Sequence, residues 1–375
     1  MTNVRSSFVN STLATAARSI ALPLAGAALL CAAWLQLRIH SGVGHRLTGA
    51  THLRGRAAEQ ELVLLLFISA TVAIFAARHA LARAFLRLAS LSELRPVDPL
   101  AAASFAAYRT NSGVESFTSP DGRACIAYRR AGPMVVALGG PAGEDWAAAR
   151  LQRRFLETVR RPIAWYGASQ TQDLCSIRIG QEAIVRPRTF SIDGSPMANL
   201  RHTVARARRA GVSVEIGRWA ELAPGSRAGV EELEREWAAR HRLKFGFSLS
   251  SLDEARSGHR LFTVASREGR VEAAVSWLEA GSGGGRVLDL VRRRQNAEPG
   301  SLELLLRDSI DAFARQGVEW ASLGLDGSAG LRRYKQKFQP EWHDRYLAFP
   351  LLAAPMALAA VAWVHLVKER ARRAA

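Results

Sequence analysis

Three stretches of the chain are apolar enough to stand apart from the rest. Residues 19–37 contain no charged side chain and are bounded by Arg18 and Arg38. That length matches the ~20 residues of a helix that crosses a bilayer core. Residues 62–77, LVLLLFISATVAIFAA, form a second uncharged run. As a helix this run is about 24 Å long, and Arg78 can snorkel to widen its span. The two runs predict a membrane-spanning helical hairpin (19–37 and 62–78) whose ends lie on one side of the membrane. The third run, 347–367, is broken by Pro350 and Pro355. A helix beginning at Pro355 has only about 20 Å of apolar length, too short to cross. It predicts a helix that lies on the membrane or packs on the domain, followed by the basic tail KERARR.

Between Pro96 and Pro350 the period changes to that of an α/β domain. Residues 261–266 and 271–279 read as strands around the turn REGR, and 286–292 as a third strand after GSGGG. After Pro299-Gly300 comes a helix with Leu302, Leu305, Leu306, Ile310 and Phe313 on one stripe. Residues 320–325 then read as a strand. The first half repeats this order more faintly: strands at 123–129 and 133–138, a helix at 145–160, and strands at 163–167 and 177–185. Meander, helix, strand is the order of a GCN5-related acetyltransferase (GNAT) core. The expectation is therefore two tandem GNAT-like units joined by a basic helix at 197–210. The boundaries expected are 1–95 for the membrane anchor, 96–211 for the first unit with its connecting helix, 212–350 for the second unit, and 351–375 for the peripheral helix and tail.

Charge adds a class of partner. The net charge is +18, and only Lys244, Lys335, Lys337 and Lys368 among the 51 basic residues are lysine. So large an excess favours a polyanionic partner: nucleic acid, an anionic membrane surface, or both. The positive-inside rule separates the flanks from the loop of the hairpin only slightly. The three cysteines, Cys31, Cys125 and Cys175, are far apart and form no CxxC pair, so neither a disulfide framework nor a zinc site is expected.

Five stretches in order resemble the C-terminal catalytic domain of the lysyl-phosphatidylglycerol synthase (multiple peptide resistance factor) family. They are VVALGGPAGE (135–144), NLRHTVARARRAG (199–211), WAARHRLKFGFSLSSLD (237–253), LDLVRRRQNAEPGSLELL (288–305) and YKQKFQPEWHDRYLAFP (334–350). The resemblance implies transfer of an amino acid from aminoacyl-tRNA to the glycerol hydroxyl of phosphatidylglycerol or a related lipid. That reaction lowers the negative charge of the surface and is associated with resistance to antimicrobial peptides. It also implies a catalytic part facing the cytoplasm at a bacterial inner membrane. Long members carry a many-helix flippase ahead of this domain. This chain has two candidate spans, so lipid translocation is not expected of it.

Transfer from an activated ester needs positioning, deprotonation of a hydroxyl and stabilisation of an oxyanion. It calls for no metal and no cofactor. By resemblance Asp289 and Arg292 hold the aminoacyl group, the acid pairing with the α-ammonium and the guanidinium facing a carbonyl or phosphate. Residues three apart on a regular strand point to opposite faces. Both can line one pocket only if a bulge or splay falls near Leu290-Val291, or if the strand ends there. Arg333, Lys335 and Lys337 around Tyr334 suit phosphates and bases, or lipid head groups. Lys244 and Glu303 join them as substrate-binding candidates. Arg201, Arg206, Arg208 and Arg209 are spaced to follow an RNA backbone. Trp237 reads as a core residue. His241 and His259 could act as bases, but no triad, GxSxG elbow or serine–histidine pair appears in the sequence.

Two other functions fit the same fold. One is an acyl-CoA-dependent N-acetyltransferase, although RRQNAEPGS at 293–301 has only Gly300 where such enzymes carry a glycine-rich pyrophosphate turn. The other is a non-catalytic, membrane-tethered RNA-binding module.

Overall fold

The computed structural model describes residues 80–240, 247–248, 250–258, 260–281 and 284–366. Both candidate membrane spans, Lys244, His241 and His259 lie outside the described residues. The chain divides into two units, Met1–Arg87 and Leu88–Ala375. The β-sheet and the helices that cover it belong to the second unit.

Its elements, in chain order, are α1 (Pro99–Ala106), β1 (Glu115–Thr118), β2 (Ala124–Ala131), β3 (Met134–Leu138), β4 (Ala142–Gly143), α2 (Asp145–Val159), β5 (Ile163–Ala168) and β6 (Cys175–Val185). They continue with α3 (Ala198–Arg209), β7 (Ser213–Arg218), α4 (Pro224–Arg240), α5 (Leu252–Ser257), β8 (Leu261–Arg267), β9 (Arg270–Ala280) and β10 (Gly285–Arg293). The chain closes with α6 (Ser301–Arg315), β11 (Trp320–Leu325), α7 (Ala329–Gln336), β12 (Glu341–Phe349) and α8 (Ala354–Leu366). The strands anticipated from alternation all form, with ends shifted by a residue or two. The turn expected at REGR is tight, with Glu268 and Gly269 both at positive φ.

The local reasons are legible. In α2 the residues Ala147, Ala148, Leu151 and Phe155 form one buried stripe, as an amphipathic helix requires. In α6 the stripe is Leu305, Leu306, Ile310 and Phe313. Gly300 caps α6 at φ 93°, and a Cβ there would lie 2.6 Å from the Thr203 carbonyl oxygen of α3. Only glycine permits both the left-handed backbone and that approach.

All the strands belong to one sheet, ordered β1-β2-β3-β5-β12-β6-β11-β10-β9-β8-β7, with β4 paired to β2. The order reads nearly the same from both ends. β3 is joined through α2 to the parallel β5, and β10 through α6 to the parallel β11. The strand that follows each parallel pair crosses to the other half. β6 pairs with β11, β12 pairs with β5, and β6 and β12 pair with each other. The sheet therefore runs unbroken across residue 211.

The core lies on both faces of this sheet. One large cluster joins α1, the first-half strands and the inner face of α8; another gathers α3, α6 and the second-half strands. The C-terminal helix packs on the domain through Ala357, Ala360 and Val364, while Leu358 and Trp363 face outward, each more than 40% exposed. Among the described residues no helix is long and apolar enough to cross a membrane.

Candidate active site

β10 and β11 pair only from Gly285 to Val287. Beyond that point they diverge, and the gap opens into a cavity of 1590 Å³. Its walls are the diverging ends Val287–Arg293 and Ser322–Leu325, the loop around Ser250, α4 through Glu234 and Trp237, α7 through Tyr334 and Lys335, and Tyr166, Glu182 and His365.

The geometric objection to Asp289 and Arg292 is answered by a bulge. Leu288 pairs with Trp277 and Val291 with Val275, so three residues of β10 advance against two of β9. Burial shows the same change of phase. Val287 and Asp289 are buried on one alternation, then Leu290 and Arg292 on the other. The Ser276 hydroxyl holds the distortion by accepting from the Leu290 amide at 3.2 Å and donating to Asp289 Oδ2 at 3.1 Å. Both side chains consequently line the cavity, which an unbulged strand would forbid.

Asp289 is buried at the cavity floor. It accepts from the Ser250 amide at 3.2 Å and lies 3.5 Å from Nε of Arg260. Burial raises its pKa, while Arg260 and the two serines pull the other way. Arg260, itself buried, donates to Asn111 at 2.7 Å. Arg292 donates from Nε to Glu234 at 2.6 Å, and its guanidinium lies 3.8 Å from the centre of the Trp237 ring. Trp237 is thus not a core residue. It is half-buried on the cavity wall, because the bulge turns Arg292 onto its face, where a cation over an aromatic ring is attracted.

Lys335 is 6% exposed and donates to the Leu325 carbonyl at 2.6 Å. Burial lowers its pKa to about 8, against the opposing pull of Glu182 and Asp326. Lys337 and Glu303 are not on the cavity wall. They form an ion pair of 2.8 Å with each other. Arg333 is exposed on α7 and does not line the cavity. The basic helix α3 contributes none of its four arginines to it either. Arg201 is half-buried against the carbonyls of Ile192 and Gly194. Arg208 pairs with Asp308 at 2.9 Å, and Arg206 and Arg209 are exposed.

Sequence reasoning missed a second polar centre at the strand crossover. Glu182 on β6 accepts from Ser104, from Ser322 at 2.5 Å and from Arg345 Nε at 2.7 Å. Arg345 also reaches Asp98 at 3.0 Å. Glu182 and Arg345 are both nearly inaccessible, and removing either partner alone would strand a buried charge. They lie 163 residues apart, so no local pattern announces them. Among the described residues no group of three or more His, Cys, Asp or Glu is arranged to hold a metal.

The model of the family described as phosphatidylglycerol lysyltransferase, C-terminal, matches residues 95–349, a stretch that contains the bulged strand, the crossover and α7. The chain belongs to this family. The lysylphosphatidylglycerol biosynthesis bifunctional protein LysX of Mycolicibacterium gilvum is 28% identical over 275 residues, covering 62% of this chain and 25% of that protein. Its counterpart from Mycobacterium tuberculosis is 29% identical over 272 residues, covering 61% and 23%. The chain thus spans about a quarter of the length of these relatives. Two solved structures share the family fold. The C-terminal domain of a putative lysylphosphatidylglycerol synthetase from Agrobacterium fabrum has a TM-score of 0.63 at 21% identity, covering 76% of this chain and 98% of that one. L-PGS from Bacillus licheniformis has a TM-score of 0.62 at 21% identity, covering 71% and 93%.

Proposed function

We propose that this family member is an aminoacyltransferase that moves an amino acid from aminoacyl-tRNA to the hydroxyl of phosphatidylglycerol or a related membrane lipid. The observation that carries the reading is the β10 bulge. It sets one acid and one arginine, both inside the family match, on the wall of one large cavity. A buried carboxylate of this kind suits the α-ammonium of an aminoacyl ester. Arg292 is held by Glu234 and Trp237, so it meets the substrate as a fixed donor rather than a free charge, which favours positioning.

The two halves of the sheet are read as tandem GNAT-like units that exchange their last strands, in keeping with the near-palindromic order. The exposed arginines of α3, Arg206, Arg208 and Arg209, are the side chains offered to RNA phosphates. Arg333 is proposed to contribute in the same way from α7. Lys244 remains a proposed substrate contact. Lys337 and Glu303 are proposed to shape the segment that carries Lys335, since each satisfies the other. A membrane location follows from a lipid acceptor and from the two apolar runs that precede residue 80, with the catalytic part on the cytoplasmic side.

The acyl-CoA alternative is disfavoured by the approach to α6. There Thr203 of α3 closes on Gly300, and the Glu298 amide is already engaged by Glu272 at 2.8 Å. Little backbone is left to receive a pyrophosphate.

The deciding experiment supplies membranes containing the protein with charged tRNAs and labelled amino acids. The expected product is a labelled aminoacyl lipid that disappears on ribonuclease treatment and in Asp289→Asn. No labelled lipid with any charged tRNA would sink the reading. Full activity in Asp289→Asn would remove the role given to the carboxylate.

A further inference from the structure

α8 begins after the family match, which ends at residue 349, yet its inner face reaches the cavity. Val364 is buried against the sheet, and the next residue, His365, lines the cavity wall. His365 Nδ1 lies 2.8 Å from the carbonyl oxygen of Val361, one turn back. A carbonyl can only accept, so Nδ1 carries the hydrogen. Burial lowers the imidazole pKa and so favours the neutral ring, against the pull of the Val361 bond. Nε2 therefore presents a lone pair. It faces the Ser248 hydroxyl at 3.2 Å. Tyr166 and Phe247 pack on the ring, with centroids 4.8 and 5.4 Å away.

The pair lies beside the acid already described. Ser248 is two positions from Ser250, whose amide holds Asp289 at 3.2 Å. Two residues of chain span at most about 7 Å, so the serine–histidine pair and Asp289 flank one short loop on one cavity. Three other ionisable groups on the wall are engaged. Asp289 accepts from two donors beside Arg260. Glu182 accepts from three, and Lys335 donates to a carbonyl.

We propose that His365, acting through Ser248 Oγ, receives the proton of the attacking acceptor hydroxyl; this rests on the aminoacyl transfer proposed above. As the acceptor oxygen attacks the ester carbonyl, its new C–O bond forms and its proton passes to Ser248 Oγ. Ser248 gives its own proton to His365 Nε2. When the bond from the acyl carbon to the ribose oxygen breaks, the same path returns one proton to that oxygen. One ester replaces another, with no net proton, no water and no change of oxidation state.

The test uses the full chain in membranes, with charged tRNA and labelled amino acid. His365→Gln and Ser248→Ala are expected to lower kcat by about 10²–10⁴ while leaving KM for aminoacyl-tRNA and lipid unchanged, the range attributable to one general base. His365→Ala is expected to regain part of its kcat when imidazole is added, a response that misfolded protein cannot give. Wild-type kcat in His365→Gln, or a His365→Ala variant deaf to imidazole, overturns the proposal. Labelled amino acid bound covalently to Ser248 also overturns it, in favour of an acyl-enzyme. An active wild type beside an active His365→Gln removes the proton path alone. A wild type inactive with every charged tRNA removes the transfer reading as well.

Discussion

The side chain of Asp289 sets the desolvation of a buried carboxyl against three compensations, two hydrogen bonds and the buried guanidinium of Arg260. Breaking such a pair on one side leaves the other charge uncompensated. Asp289→Ala is therefore expected to lower stability by about 3–5 kcal/mol, besides losing activity, as a shift of the denaturant midpoint will show. Lys335 gives a second prediction at this scale. Its folded pKa, about 8, lies below the unfolded value of roughly 10.4. The unfolded chain thus binds more protons between those limits, and stability rises with pH across that window, by about 3 kcal/mol in total. Denaturant midpoints measured from pH 7 to 11 should show this rise in the wild type and its loss in Lys335→Met. Asp289 and Arg292 were singled out by the resemblance of LDLVRRR, and both line the cavity. Their true partners, Arg260, Ser276, Glu234 and Trp237, were not, because each comes from another element.

At the scale of the element, helix α4 shows how tertiary context reverses a local rule. Glycine inside a helix costs about 1 kcal/mol relative to alanine, so Gly229→Ala should stabilise α4 on propensity alone. A Cβ at Gly229 would instead lie 2.3 Å from Val271 Cγ2 on β9. Gly229→Ala is expected to lower stability, by roughly 1–3 kcal/mol, and a rise in melting temperature would contradict the close helix–strand approach. β10 carries the related lesson. Its alternation reads as an ordinary strand, and only the residue types three apart signalled a bulge. The bulge itself depends on Ser276 of the neighbouring strand. For α8, Pro355 and the short apolar run predicted a helix that lies on the membrane or packs on the domain, and Ala357, Ala360 and Val364 are buried against the domain. Nothing in its sequence disclosed that His365 meets Ser248, 117 residues away.

For the whole Leu88–Ala375 unit, the exchange of β6 and β12 is the governing feature. Each half closes its sheet with the other half's last strand, and the buried Glu182–Arg345 pair locks the crossing. Neither half can lose its fold and leave the other's sheet intact. Native-state hydrogen exchange should therefore give slowest amides in β5 and β10 with the same opening free energy. Two distinct values would show that the halves open separately.

The sequence by itself determined the periodic elements, the glycine turns, the basic surplus and the family. Each of these is written in the spacing of neighbouring residues or in ordered motifs. Only the tertiary structure decided that the last strands cross, that β10 bulges, that Glu182 meets Arg345, and that Ser248 meets His365 at the cavity wall. Those side-chain pairings join residues more than a hundred positions apart. Local alternation records which face of an element is buried, and it carries no record of what that face is buried against.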